Sequence, residues 1–192
     1  MLSERRCPPD VVEGAWSGFV ALLELQLLIC DGLEETADRL PDNIDAWLCE
    51  QLAIALETSL PLVHRIEEEI ILPTLARPTF QVSVTRHTVQ RLRREHRLDE
   101  GYALEICALL RELAERGVKA NPEAQGYALR SVFESLRRHV QFDLEIIVPA
   151  ARATVTPSEL ANIRSMLATL DKNALQFPLP VRTRRVSHRS LH

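Results

Sequence analysis

Glycine is scarce in this chain, with 6 in 192 residues, and aromatic residues make up only 5%. Sheet proteins draw on glycine-rich turns and on β-branched and aromatic strands, so this poverty argues against a sandwich or barrel. The four cysteines, Cys7, Cys30, Cys49 and Cys107, show no CxxC spacing. That excludes a dense disulfide framework and fits a reduced, cytoplasmic protein. Neither charge sign dominates, and a net charge of -4 gives no support to a nucleic-acid-binding domain. Long uncharged hydrophobic runs are missing too. The apolar run AWSGFVALLELQLLIC carries Glu24 and is too short to span a bilayer, and the Pro-Pro-Asp before it fits a signal peptide poorly. No phosphate loop, nucleophile motif or cofactor fingerprint is legible, so no enzyme activity is expected.

What is present is Leu, Ala, Glu and Arg in helical rhythm, with 46% hydrophobic content, enough for one domain with a substantial core. Apolar positions from Trp16 to Leu40 predict a first long helix over 10–40, stopping at Pro41. Asp42 or Asn43 is expected to cap a second helix through Trp47, Leu52, Leu56, Leu60, Val63 and Ile70, ending before Pro78. Pro61 lies inside it and predicts distorted geometry over 57–64. A third helix is predicted over 83–117, with Gly117 as its stop, and a fourth over 121–153 from the signal Asn121-Pro122-Glu123. Thr156-Pro157-Ser158-Glu159 opens a short fifth helix. The expected architecture is all-α: an antiparallel up-down-up-down four-helix bundle with a short fifth helix over 1–171 and a flexible basic tail over 172–192. That tail has no acids and ends VRTRRVSHRSLH, so it reads as a solvated terminus or a docking arm for an acidic partner.

Polar residues stand on the apolar seams. His139 and Asp143 are one turn apart on the fourth helix, between Leu136 and Ile146 or Ile147. His96 lies on the third-helix stripe with Asp99 and Glu100 one turn on, and Glu67 lies between Val63 and Ile70 on the second. Buried carboxylates need partners, so groups converging from three helices must neutralise one another or bind a cation. Imidazole with carboxylate is the ligand chemistry of non-haem iron and manganese, in a mono- or dinuclear site. A metal-free network of His-carboxylate pairs satisfies the same electrostatics. An internal comparison sharpens the ligand set: EIILP at 69–73 aligns on EIIVP at 145–149, which puts Glu67 on Asp143 and Val63, not His64, on His139. His64 would then turn to the flank and form an exposed one-turn pair with Glu68, unless Pro61 or a π-bulge turns the helix.

The series HRIEEEIILP, REHRLDEG and RRHVQFDLEIIVP, on successive helices, resembles the hemerythrin-like HHE cation-binding domains over about residues 15–155. The resemblance implies four antiparallel helices around a di-iron centre. It carries over to Glu67, His96 with Glu100, and His139 with Asp143, and puts Leu23 and Val63 where the family has histidines; His64 and Glu68 are the substitutes at hand. It implies O2, nitric oxide or redox sensing, or iron handling. Loss of two nitrogen ligands implies instead a bundle that works without catalysis, as a regulatory or interaction protein. The arginines at 91, 93, 94 and 97 read as a solvated face rather than a nucleic-acid surface, since no aromatics are interleaved with them. A protein partner on the helix surface or tail, and a homodimer through a helix face, remain open.

Overall fold

The computed structural model describes residues 9–77, 85–117 and 121–170, with side chains from residue 14. Four long helices dominate: α1 (Pro9–Arg39), α2 (Ala46–Ile66), α4 (Arg86–Arg116) and α5 (Pro122–Phe142). Two of them are extended by a five-residue π-helical segment and a short helix. After α2 come π1 (Glu67–Ile71) and α3 (Leu72–Leu75), and after α5 come π2 (Asp143–Ile147) and α6 (Val148–Arg152). A last helix, α7 (Pro157–Leu167), lies across α1 and touches α2 and π1. α1 packs on α2 and α5, and α4 packs on the same two helices, so each long helix has two neighbours around one core. No strand occurs among the described residues, and the bundle is all-α as expected. The tail over 172–192 and Cys7 lie outside the described residues.

Local chemistry sets the ends. The Asp45 side chain accepts from the Leu48 amide at 3.0 Å, so the cap of α2 is Asp45 rather than Asp42 or Asn43. Thr85 and Asn121 cap α4 and α5 in the same way, with Pro122 in the first turn. Gly117 ends α4 at φ 65°, a conformation that costs glycine nothing. The capping box foreseen at Thr156 forms with Glu159. Glu159 also accepts from Thr74 at 3.0 Å and pairs with Arg77, which ties the start of α7 to the end of α3.

Distortion falls at a different proline from the one expected. α2 runs through Pro61 as α-helix, and the irregular turn comes later, at Glu67–Ile71. Its counterpart is Asp143–Ile147, the segment that the internal comparison aligns with it. Pro73 and Pro149 follow the two segments at the same spacing. In an uninterrupted α-helix each proline ring would press on the carbonyl four residues back, at Glu69 and Glu145; a wider turn relieves that clash. The amides of Leu72 and Val148 accordingly reach back five residues, to the carbonyls of Glu67 and Asp143. Of the two positions the sequence left open there, Ile147 is buried and Ile146 is 40% exposed. Trp47 is on the stripe by periodicity and is 51% exposed, in the first turn of α2.

By length and composition Gly14–Arg39 is long and apolar enough to cross a bilayer, contrary to the length argument above. Its apolar residues Phe19, Leu23, Ile29 and Leu33 are fully enclosed by the other helices, which accounts for that hydropathy without a membrane. Cys30, Cys49 and Cys107 are buried free thiols, and burial pushes them up to about 12, 11 and 11 respectively, so they pack as small apolar groups.

Two glycines give opposite tests of this packing. A Cβ on Gly32 would come within 2.6 Å of Leu52 Cδ2 at the crossing of α1 and α2, whereas one on Gly101, exposed in α4, would meet nothing within 4 Å. Gly101→Ala should raise stability by about 0.5–1 kcal/mol through helix propensity. Gly32→Ala should lower it by about 1 kcal/mol or more, because overpacking outweighs the same gain. Urea denaturation of the two variants checks the pair, and equal signs would contradict the crossing.

Candidate metal centre

Six ionisable side chains meet in the apolar interior. α2 and π1 bring His64 and Glu67, α4 brings His96 and Asp99, and α5 and π2 bring His139 and Asp143; all six are buried. α1 adds no ligand: Leu23 is enclosed, and so is Val63 on α2. Glu68 and Glu100 stand at the rim, each with close to half of its side chain exposed.

His64 departs from the flank position expected for it. It is only 3% exposed, and its partner is Glu100 on α4, at 3.0 Å from Nδ1, instead of Glu68 on its own helix. No bulge precedes it. α2 is covered by α1 on one side and α4 on the other, so its buried face is wide enough to take Val63 and the adjacent His64 together. Glu68 in turn receives Nδ1 of His96 at 3.0 Å across the same interface.

The inner contacts are closer to metal-site geometry. Asp99 Oδ2 lies 2.8 Å from His139 Nδ1, Asp143 Oδ2 lies 3.5 Å from His139 Nε2, and Glu67 Oε2 lies 3.0 Å from His96 Nε2. The last contact lacks hydrogen-bond alignment, and four polar atoms at this spot have no hydrogen-bond partner: Glu67 Oε1, His96 Nε2, His139 Nε2 and Asp143 Oδ1. Two groups of three offer one ligand atom apiece, all within 4.8 Å of one another: Glu67, His96 and His139, and His64, Asp99 and His139. His139 belongs to both. The three imidazoles lie nearly parallel, His64 over His96 at 4.1 Å and His96 against His139 at 5.1 Å.

Burial acts on these groups in opposite directions. His64 is held neutral, lowered to about 2, by desolvation and then by the facing His96 and His139. Desolvation lowers His139 as well, but the hydrogen bond it donates to Asp99 and the charges of Asp143 and Glu67 outweigh it and raise the group to about 9. Asp143 is raised well above the usual carboxylate range by burial and by the neighbouring Glu67. One imidazole is thus a base too weak to protonate and another a cation at neutral pH, within one cluster.

The residues fit a cation of the non-haem iron and manganese class. Nitrogen and oxygen donors converge, water is excluded by the surrounding Leu and Ile, and the four unpartnered atoms are unexplained by the protein alone. The sequence reading had placed Asp99 on the seam but named Glu100 as the ligand from that helix. The structure turns Asp99 inward and leaves Glu100 at the rim. The signal for Asp99 was the helical phase of Leu92, His96 and Ala103. A further buried polar residue, Gln26 on α1, has its Nε2 unpartnered and was legible only as a break in ALLELQLLIC.

The model of the hemerythrin HHE cation-binding domain matches residues 24–151, well over half of the chain, and the protein belongs to that family. Neither the curated proteins nor the solved structures yield a match.

The metal-free protein should show the two histidines in its pH dependence. His139, raised from 6.5 to about 9, stabilises the fold fully below pH 6.5 and loses that contribution as pH rises through 9, with Asp143 acting in the same sense. His64, lowered from 6.5, stabilises above pH 6.5 relative to lower pH, because the unfolded chain gains a proton there that the folded one refuses. Thermal melts in chelator should show that His139→Gln loses less stability between pH 6.5 and 9 than wild type, by roughly 2 kcal/mol. His64→Leu should lose less between pH 6.5 and 5. Parallel curves for all three proteins would refute the assignment.

Proposed function

We propose that this protein is a cation-binding bundle of the iron and manganese class in which the bound ion serves as a regulatory or sensory input rather than as an enzyme's reaction centre. The observation that carries the reading is the set of four buried, unpartnered ligand atoms on Glu67, His96, His139 and Asp143. Leaving such atoms without partners costs about 1–3 kcal/mol each, a cost that a bound cation removes. Family membership supports the same class of ligand. Glu67, His96, His139 and Asp143 would hold the first ion, and His64, Asp99 and the shared His139 form the group for a second. Iron bound there supplies a reversible one-electron change and coordination positions that the side chains leave open. The protein's own part is to keep water out, to fix the rings by the Glu68, Glu100 and Asp99 contacts, and to hold a proton on His139 when no cation is present.

The non-catalytic half of the reading rests on the apolar residues Leu23 and Val63, which pack the core and cannot ligate. Its output would be the helix surface or the basic tail meeting a protein partner in the cytoplasm, either as a monomer or as a homodimer. A metal-free His-carboxylate network is the competing reading, favoured by the near-parallel stack of rings.

The test is elemental analysis of protein purified without a histidine tag, before and after anaerobic loading with Fe(II) or Mn(II). One to two ions per chain, a higher melting temperature on loading, and loss of both in His96→Ala and His139→Ala are expected. Absence of metal and an unchanged melting temperature would leave only the metal-free network. Turnover of an oxidisable substrate by the loaded protein would overturn the regulatory half alone.

A further inference from the structure

Between α4 and α5 a cleft of about 200 Å³ is lined by Arg91, Glu95, Asp99, Ser135, Arg138 and His139. It joins the surface to the shared member of both ligand groups. Along it the side chains grade from wet to dry: Glu95 is 36% exposed and Asp99 and His139 are nearly enclosed; beyond the cleft, Asp143 is enclosed with one oxygen unpartnered. Glu95 and Asp99 stand one turn apart on α4, and His139 and Asp143 one turn apart on α5, so oxygen and nitrogen donors form two rungs leading inward. Arg91 contacts Glu95 at 3.0 Å and lies over the Phe142 ring, which holds a cation beside the outermost carboxylate. The opposite opening differs in kind. Between α2 and α4 a cleft of about 190 Å³ is walled by Leu56, Leu60, Pro61, Ala103 and Leu104, with Glu57 and Glu100 at its edge.

We infer that the α4/α5 cleft is the port through which a divalent cation reaches the centre, with Glu95 as its first carboxylate and Arg91 as the counter-charge that it must displace. A hydrated divalent ion sheds water in steps, and a path that offers a ligand at each step lowers the cost of entering an apolar core. The α2/α4 cleft is walled mainly by apolar side chains, and its two carboxylates are already engaged, Glu57 by two hydrogen bonds from Arg111 and Glu100 by His64, so it suits apolar traffic better than a hydrated cation. Glu95 is then a positioning residue for loading and not a member of the final coordination set. The inference rests on the cation-binding reading above.

Stopped-flow mixing of the metal-free full-length protein with Co(II), followed by the growth of its d–d absorbance, separates entry from binding. Glu95→Gln, an isosteric change that preserves the helix, should slow loading by about tenfold, the scale of local electrostatic steering, with final stoichiometry unchanged. Arg91→Met should speed it, and Ser135→Phe, which narrows the cleft, should slow it. Leu104→Trp, filling the opposite cleft, should load at the wild-type rate. Wild-type rates in both Glu95→Gln and Ser135→Phe, or slowing by Leu104→Trp alone, would overturn the port. Reduced stoichiometry in Glu95→Gln would make it a ligand and also overturn the proposal. If Co(II) produces no absorbance in any of the proteins, the cation-binding reading itself fails and takes this one with it.

Discussion

Burying ionisable groups in a hydrocarbon core is affordable only if their charges are balanced on the spot, and that constraint organises this bundle. Glu67, Asp99 and Asp143 enter a core otherwise built from Leu, Ile and Val. Each would cost several kcal/mol unpaired. The three imidazoles are the answer available within the protein, and they do not answer equally: His139 carries the counter-charge to Asp99, while His64 stays neutral because its stacked neighbours and its burial both penalise a proton. Helix spacing follows from this. Only α2, α4 and α5 contribute, and each presents its pair one turn apart, so the three helices must keep the same depth along the bundle for the pairs to meet. α1 has no such obligation and supplies the apolar wall, Phe19, Leu23, Ile29 and Leu33.

The two π turns are the backbone counterpart of that constraint. Glu67 and Asp143, the carboxylates of α2 and α5, stand at the first positions of π1 and π2, and Pro73 and Pro149 stand just beyond their ends. The prolines force the wide turn for steric reasons, and the turn changes the direction of the side chains that follow the two carboxylates. Rigid attachment of α7 through Glu159, Thr74 and Arg77 then fixes the end of the first of these distorted helices from outside. The irregular turn of α2 is thus followed directly by a proline and then by a clamp that ties its end to α7.

Much of this was legible in the letters. Helix number and order followed from apolar spacing, and the caps at Thr156, Asn121 and Gly117 followed from side-chain chemistry that acts within one turn. The internal repeat EIILP/EIIVP located the two equivalent turns before any coordinate did. What could not be read was phase across a distortion. Periodicity left Ile146 and Ile147 both open, and Ile147 is the one enclosed. Nor could one helix's pattern say how wide its buried face is. That depends on neighbours, and it decided that Val63 and His64 are both inside. The inward Asp99 and outward Glu100 are the same problem on α4, where the family pattern pointed to Glu100 and the apolar stripe to Asp99.

These one-residue shifts change how the loss of Val63 and Leu23 should be weighed. On α2 the imidazole moves one place on, to His64; on α4 the buried carboxylate moves one place back, to Asp99. The displaced Glu100 is not idle, because it accepts His64 across the α2/α4 interface. The set has therefore been rotated about the seam instead of emptied. Burial and the neighbouring Glu67 raise Asp143 well above the usual carboxylate range, and the carboxylates around His139 hold a proton on that imidazole. A proton and a metal ion thus compete for the same imidazole. A cation bound through His139 would displace the proton held there, so its affinity has to rise with pH. A purely structural His-carboxylate network carries no such linkage.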